Sequence, residues 1–305
     1  MKMKKSTKTL LILSVVFISL GALLTVGSMM FGVNPLDAIR SGAMDVPIYK
    51  NRTAEFSADG RYTIPANGVK EVSIDWLAGD ITIEPYDGTD IILEETNSAP
   101  FNENNSLDYT FRTNELNISY GSTQFGLSLS MDASTDTSKE LHILLPSTFK
   151  LSELSIDSAS SNVSIQGVSP LELDVNTVSG NLNVANAAIG GLSFDSTSGG
   201  VTITDSNVQE IEADTVSGSL DASVKVCPTE VSFNTSSGDA TLTLPADSQF
   251  RLSLDTASGQ INSDFQGVYQ GNIYMVGTGF GKFEVDSISG SVNIHQAASP
   301  FGPAF

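Results

Sequence analysis

The sequence has 305 residues and a mass of 32.2 kDa, which is enough for one large domain or two smaller ones with a sizeable core. Its 35 acidic residues outnumber the 15 Lys and Arg and give a net charge of −20. Because a negatively charged protein repels the phosphates of DNA and RNA, no nucleic-acid partner is predicted. The single cysteine, Cys227, excludes an internal disulfide, and the two histidines are too few for most histidine-based metal sites or catalytic triads.

The N-terminal segment, residues 1–33, has the pattern of a membrane anchor. Four lysines in the first eight residues precede an apolar run of 24 residues at 10–33 that contains no charge. As a helix this run would be about 36 Å long, enough to cross a hydrocarbon core of about 30 Å. Because lysines stay on the cytoplasmic side, the sequence predicts a single-pass membrane protein with a cytoplasmic N-terminus and an extracellular C-terminal domain. A cleaved signal peptide is the alternative, but its apolar stretch is usually only about 7–15 residues long.

The region between the anchor and the repeats is divided in two. Residues 34–70 are predicted to be a linker and the start of the ectodomain, and residues 71–150 an irregular β region. Within it, residues 72–83 (VSIDWLAGDITI) share a pattern that recurs further along the chain, with Trp76 where the later copies have Ser or Thr. We expect the rest of this region to cap the repeats, because an open end of stacked strands is prone to aggregate.

Residues 151–296 consist of an internal sequence repeat. Seven segments align without gaps, and equivalent serines are separated by 19, 19, 19, 20, 21 and 31 residues. A period near 20 is typical of stacked supersecondary units, in which each unit buries its apolar face only against its neighbours. The repeated serines and glycines are Ser160, Ser179, Gly180, Ser198, Gly199, Ser217, Gly218, Ser237, Gly238, Ser258, Gly259, Ser289 and Gly290.

Within each unit apolar and polar residues alternate, and Ser-Gly interrupts the alternation. Alternation is typical of strands with one buried face, and the glycine supplies a positive φ or a tight corner. The sequence therefore predicts an all-β fold after the transmembrane helix: a single-stranded, β-helix-like β-solenoid of about 19–21-residue coils, whose neighbours pair as parallel strands about 4.8 Å apart. A Ser/Thr column just before the corner faces inward, and we expect its hydroxyls to bond to the backbone or to one another.

The C-terminal part contains an insertion and a tail. Residues 266–282 lengthen the last interval of the repeat, and we expect them to form a loop or a hairpin. Residues 297–305 contain two prolines and are predicted to be a disordered tail.

The units, the segment LHILLPS at 141–147 and the lysine-led anchor resemble a bacterial β-strand-repeat family known as "putative adhesin", a domain of unknown function. The resemblance covers residues 72–296. It implies a surface protein of the cell envelope, often encoded beside envelope-stress systems in Gram-positive bacteria. It implies neither an established ligand nor catalytic residues.

An Asp or Asn precedes the Ser/Thr position in every unit and is predicted to point outward just before the corner. Stacked charges about 4.8 Å apart repel by roughly 1 kcal/mol per pair in water, and a bound cation would remove this repulsion. The sequence leaves two roles open: turn capping by Asx side chains, which the straight column favours, and weak binding of a divalent cation such as calcium. No other cofactor is predicted. The column consists of Asp157, Asn176, Asp195, Asp214, Asn234, Asp255 and Asp286, whose five aspartates are the candidate metal ligands.

Paired carboxylates also serve polysaccharide-cleaving enzymes as acid and base. Here the acidic residues recur as a regular column rather than in one distinctive cluster, so no enzyme is predicted. The predicted function is a non-catalytic, adhesin-like or envelope-stress-associated module whose Ser-, Thr-, Asn- and Asp-rich face holds an envelope polymer or a protein partner. A divalent-cation-binding surface protein and, less favoured, a polysaccharide-active enzyme are the alternatives.

Overall fold

The computed structural model describes residues 54–103, 105–121 and 139–298. These residues form 22 β-strands and no helix, which confirms the all-β prediction for this part of the chain. No helix that could span a membrane occurs in these ranges. The predicted anchor at 10–33 lies outside them, as do residues 299–305 of the predicted tail.

The strands belong to an N-terminal group and a repeated group. The N-terminal strands are β1 (Arg61–Pro65), β2 (Glu71–Ala78), β3 (Ile81–Tyr86), β4 (Asp90–Asn97), β5 (Asp108–Arg112), β6 (Glu115–Ser119) and β7 (Lys139–Pro146). The others are β8 (Glu153–Ser160), β9 (Val163–Gln166), β10 (Glu172–Ser179), β11 (Leu182–Ala185), β12 (Ala188–Ser198), β13 (Val201–Ser217), β14 (Leu220–Val224), β15 (Glu230–Ser237), β16 (Ala240–Leu244), β17 (Phe250–Ser258), β18 (Ile261–Ser263), β19 (Val268–Gln270), β20 (Ile273–Val276), β21 (Gly281–Ser289) and β22 (Val292–Gln296).

Each repeat makes one turn around a shared core. The strand before the Ser-Gly corner lies in one sheet, called sheet I here, and the strand after the corner lies in the other, sheet II. β13 is long enough to pass from sheet II into sheet I, bending near Asp205. Sheet I has the strand order β5-β6-β2-β8-β10-β12-β13-β15-β21-β17-β20-β19. Sheet II has the order β1-β4-β7-β3-β9-β11-β13-β14-β16-β22-β18.

Equivalent residues of neighbouring turns lie directly opposite each other in parallel pairs. Val175 of β10 pairs with Ile156 on one side and Phe194 on the other. Ser179 likewise pairs with Ser160 and Ser198. The stacking of residues one repeat apart, predicted from the period, is therefore present in both sheets.

The core lies between the two sheets and is formed by the inward positions of the alternating pattern. Ile156, Val175 and Phe194 are each at most 1% exposed. At the C-terminal end the rings of Phe250 and Phe283 stack with their centroids 5.1 Å apart. Burial of one such side chain stabilises the fold by about 1.5–3 kcal/mol, so the columns supply most of the driving force for stacking.

The last two turns are exchanged relative to their order in the sequence. β21 lies between β15 and β17, so that Ser289 pairs with both Ser237 and Ser258. The insertion at 266–282 forms the hairpin of β19 and β20, which covers the end of sheet I beyond β17. The hairpin was one of the two predicted forms. The exchange was not predicted, because all turns carry the same pattern and their columns match in either order.

The N-terminal end is arranged in a similar way. Residues 72–83 form β2 and β3, which pair directly with the first regular turn, and Ala78 lies opposite Ser160. The strands from β4 to β7 lie on the outer side of this unit, with β6 against β2 and β7 against β3. The capping strands therefore cover the unit at 72–83 rather than the turn at β8 and β9.

Candidate binding groove

The Ser-Gly corners approach each other too closely for any side chain at the glycine. A Cβ on Gly218 would lie 1.9 Å from the carbonyl oxygen of Gly199, and a Cβ on Gly238 would lie 1.8 Å from that of Gly218. The N–H of Gly218 donates to the carbonyl of Ser237 in the next turn, with an N···O distance of 3.2 Å. The sequence analysis predicted that the repeated glycines supply either a positive φ or a tight corner. The tight corner is the role that these glycines share.

In several turns the residue two positions after the repeated serine links neighbouring corners through its side chain. Asn162 Oδ1 accepts the backbone N–H of Asn181 at 3.1 Å, and Asn181 Oδ1 accepts the backbone N–H of Gly200 at 3.0 Å. Further along, Asp239 Oδ1 accepts the N–H of Ser291 at 2.7 Å. The sequence suggested corner capping by Asx side chains for the Asp/Asn column. The structure shows this capping instead at the positions five residues further along the chain.

An open groove of about 510 Å³ follows the outer side of three successive corners. Hydroxyls, amides and backbone dominate its lining, and Asp221 is the only charged residue among its described lining residues. The side chains that line it include Asn162, Ser179, Asn181, Ser198, Thr202 and Ser217. The groove therefore offers many hydrogen-bonding groups and almost no charge.

The groove opens onto the outer face of sheet II, which is nearly neutral from β9 onward. One outward column of this sheet runs through eight successive strands in matched register, and all but one of its members are Ser, Thr or Asn. We call this column and the groove beside it the neutral face. The column consists of Thr82, Ser164, Asn183, Thr202, Asp221, Thr241, Asn293 and Asn262. Neighbouring members are about 4.8 Å apart along the stack.

The outer face of sheet I, in contrast, is strongly acidic, and we call it the acidic face. It carries the predicted Asp/Asn column in matched register together with Asp174, Glu212 and Glu284. Asparagine side chains bridge some of these carboxylates: Asn234 Nδ2 donates to Asp214 Oδ1 at 2.6 Å, and Asn176 Nδ2 donates to Asp174 Oδ1 at 3.2 Å.

The crowding of carboxyl groups raises pKa values on the acidic face. Burial raises the pKa of Asp195 to about 6, and the charges of Asp214, Asp174 and Glu212 add to the effect. Burial also raises the pKa of Asp157, where a hydrogen bond with an asparagine side chain opposes the shift. The ionised forms of these groups are therefore disfavoured in the folded protein.

The structure distributes the predicted metal ligands along the whole stack. Asp157, Asp195, Asp214, Asp286 and Asp255 occupy the column in this spatial order, with asparagines at two intervening positions. In the described ranges no group of three or more His, Cys, Asp or Glu side chains is placed to hold a metal ion. Weak calcium binding stays a prediction.

The inward Ser/Thr column is only partly hydrogen-bonded. Thr215 Oγ1 donates to the carbonyl of Gly199 at 3.2 Å, as predicted, and Thr235 Oγ1 accepts the N–H of Ser237 at 3.2 Å. Four other hydroxyls of the column, buried just inside the corners, have no partner in the structure. They belong to Ser158, Thr177, Ser196 and Ser287.

A buried ion pair in the N-terminal cap was missed by the sequence analysis. The Lys139 ammonium donates to Glu95 and to the carbonyl of Tyr120, and both charged side chains are at most 3% exposed. The ammonium also lies 3.9 Å from the centroid of the Tyr120 ring and 5.1 Å from that of Trp76. This arrangement joins β2, β4 and the ends of β6 and β7.

The profile of a known family, described as Toastrack DUF4097, matches residues 63–295. The chain belongs to the Toastrack DUF4097 family. The Toastrack match begins within β1 and ends within β22, so it includes both end caps, the groove and both outer faces. The resemblance inferred from the repeats is thus confirmed as membership of a family whose function is unknown.

Solved structures similar to this Toastrack chain come from three bacteria. They are a "putative cell adhesion protein" of Clostridium sporogenes (15% identity, 78% of this chain and 98% of that one, TM-score 0.39), a "putative adhesin" of Bacteroides fragilis (14%, 78% and 95%, 0.45) and a "putative adhesin" of Parabacteroides distasonis (14%, 78% and 96%, 0.40). Likeness at this level carries no argument about what the chain binds. No curated protein matches the sequence significantly.

Proposed function

We propose that the chain is a non-catalytic surface protein that binds an extended, uncharged, hydrogen-bonding polymer, such as a neutral glycan, along its neutral face. The observation that carries the proposal is the matched column of Ser, Thr and Asn beside the corner groove, repeated from turn to turn. A polymer with a regular repeat can meet the same groups at successive turns. Because the stack is held by two hydrogen-bonded sheets, little ordering cost is expected on binding.

The distribution of charge supports a neutral ligand. The chain carries a net charge of −20, and the acidic face concentrates carboxylates on sheet I. Anionic polymers would be repelled by this charge. The groove has few apolar groups in its lining, so hydrogen bonds rather than hydrophobic contacts would hold the ligand.

The groove also favours binding over cleavage. Hydrolysis of a glycosidic bond normally uses two carboxyl groups about 5–10 Å apart, one on each side of the bond. Among the described residues that line the groove, Asp221 alone supplies a carboxyl group. A ligand in the groove would therefore be held and not cut.

We further propose that residues 10–33 anchor the chain in a cell membrane with its stack outside, in the envelope of a Gram-positive bacterium. The uninterrupted apolar run and the preceding lysines support this location. Protease treatment of intact cells tests it: removal of the stack supports the proposal, and full protection of the stack contradicts it. An association with envelope stress would follow from the same location.

Affinity electrophoresis of the purified chain through gels containing soluble neutral polysaccharides tests the binding proposal. Linear β-glucan, α-glucan and galactomannan are the probes, and an anionic polysaccharide is the comparison. We expect at least one neutral probe to retard the chain. Thr202→Tyr, which places a ring in the groove, should abolish the retardation. Ser193→Tyr places the same ring on the acidic face and should leave it unchanged. Retardation by none of the neutral probes, or equal loss in both variants, would contradict the proposal.

A further inference from the structure

The C-terminal end of sheet I exposes apolar side chains on its outermost strand. β19 lies beyond β20 at the edge of the sheet, and all three of its residues are exposed. Val268 and Tyr269 are each 62% exposed, and Phe280 in the following loop is 70% exposed. Exposed apolar side chains on an edge strand are unusual, because such strands pair readily with other chains.

Among the described strands, β19 pairs only with β20, so none pairs with its outer side. β19 and β20 are joined by the two residues Gly271 and Asn272, so Gln270 and Ile273, which flank the loop, form a hydrogen-bonded pair. In an antiparallel hairpin such pairs alternate with pairs whose backbone groups point away from each other. The N–H and C=O of Tyr269 therefore point to the open edge of the sheet.

The hairpin itself carries no charged side chain. Residues 265–281 contain no Asp, Glu, Lys or Arg, although the chain as a whole has a net charge of −20. The edge strands at the N-terminal end of the stack carry charge or proline: β1 begins with Arg61 and ends with Pro65, and β5 ends with Arg112. The hairpin is thus the end of the stack where another copy of this acidic chain would meet the least repulsion.

We propose that two copies of this chain pair end to end through β19, in antiparallel orientation, with Tyr269 of each copy at the two-fold axis. Sheet I would then run continuously through both copies, and the two Tyr269 residues would exchange their N–H and C=O bonds. In this geometry β19 pairs with the same strand of the other copy, and a two-fold interface requires such pairing of identical surfaces.

The chain's own C-terminal residues fit the edge less well than a second copy. Residues 299–305 include Pro300 and Pro303, which lack a backbone donor. In a strand, the N–H groups of successive residues point to opposite edges, so residues three apart point their N–H groups to opposite edges. Whichever edge of this segment faced β19, one of the two prolines would therefore leave a hydrogen bond of the pairing unmade.

End-to-end pairing has a consequence that rests on the proposed membrane anchor. The described chain begins at the opposite end of the stack, where the N–H of Ala54 donates to Asp108 Oδ1 beside β5. That end is roughly 50 Å from β19. Two copies joined through β19 would therefore direct their N-terminal anchors away from each other, toward two different membranes. The pairing would make the protein a homophilic contact between cells.

Sedimentation of the full-length chain in detergent over a range of concentrations tests the pairing. We expect a protein mass of twice 32.2 kDa at high concentration. Tyr269→Lys and Tyr269→Glu should each be monomeric, because like charges meet at the axis, and an equimolar mixture of the two should form a mixed dimer. Leu171→Lys is the matched control, since Leu171 is 62% exposed just before β10, far from β19 in sheet I, and it should remain dimeric.

Three results would overturn the pairing. They are a wild-type chain that stays monomeric, a Tyr269→Lys variant that stays dimeric, and a dimer that forms only after deletion of residues 299–305. The last result would assign the edge to the chain's own C-terminus. Polysaccharide binding by the monomeric Tyr269 variants would separate the two proposals, because the neutral face is intact in them.

Discussion

The carbonyl oxygen of Gly180 lies 1.8 Å from the position that a Cβ on Gly199 would occupy. The same contact recurs at the corners that follow, because each corner is stacked directly on the one before it. The repeated glycine is therefore a requirement of the stacking itself. It also keeps the corner free of side chains, which opens the groove beside it.

Gly218→Ala should destabilise the fold by about 1–3 kcal/mol or more, because the new Cβ meets the rigid backbone of Gly199 at 1.9 Å. Gly191→Ala is the control. The nearest atoms to its Cβ would be those of the carboxylate end of the flexible Glu172 side chain, which can move aside. Urea unfolding of the two variants checks the prediction, and equal stability of both would show that the corners are looser than the structure indicates.

Asn181→Ala should lower the free energy of unfolding by about 1 kcal/mol, because Asn181 Oδ1 accepts the N–H of Gly200 in the next turn. Asn183→Ala changes an exposed residue of the same type two positions away and should have little effect. The same unfolding measurement serves for both. A larger loss in Asn183→Ala would refute the role of the corner column.

Lys139→Met should destabilise the N-terminal cap by about 3–5 kcal/mol, because it removes the cation that neutralises the buried Glu95 carboxylate. The control is Lys282→Met, which removes a lysine paired with Glu230 at an exposed site and should leave the unfolding midpoint nearly unchanged. The double replacement of Lys139 by Met and Glu95 by Leu should recover much of the stability. No recovery would mean that the two side chains act independently.

The acidic face should make the protein more stable in mild acid. The pKa of Asp195 is raised from its ordinary 3.8 to about 6, so between these values the folded state binds more protons than the unfolded state. Stability therefore falls as the pH rises through this window. Asp195→Asn should raise the melting temperature at neutral pH and have a smaller effect near pH 4. Asp221→Asn removes the same charge from the neutral face and should give the smaller change at neutral pH. A lower melting temperature for Asp195→Asn at neutral pH would contradict the shift.

The period of the sequence was enough to predict the strands, the inward columns and the stacking of residues such as Ser160 and Ser179. These features depend on local alternation and on a constant interval, and both are visible in one sequence. The position of β21 between β15 and β17 was not predictable in the same way. Its apolar column fits any neighbouring turn equally well, and the only signal is the interval of 31 residues before Ser289.

Contacts between residues far apart in the sequence were also missed. Glu95 and Lys139 are separated by 44 residues, lie in the irregular cap and follow no repeat, so nothing in the sequence pairs them. The candidate site was predictable as a Ser-, Thr-, Asn- and Asp-rich surface. Its division into a neutral face and an acidic face was not, because that division depends on which polar residues precede the corner and which follow it.

The salt dependence of polysaccharide binding tests the neutral face most directly. The affinity of the chain for a soluble neutral polysaccharide is measured at about 0.05 M and about 0.5 M NaCl, a change that shortens the screening length roughly threefold. Binding through hydroxyls and amides predicts similar affinity in both buffers and loss of binding in Thr202→Tyr. Affinity that collapses at the higher salt concentration, while Thr202→Tyr still binds, would place the ligand on the acidic face and contradict the account.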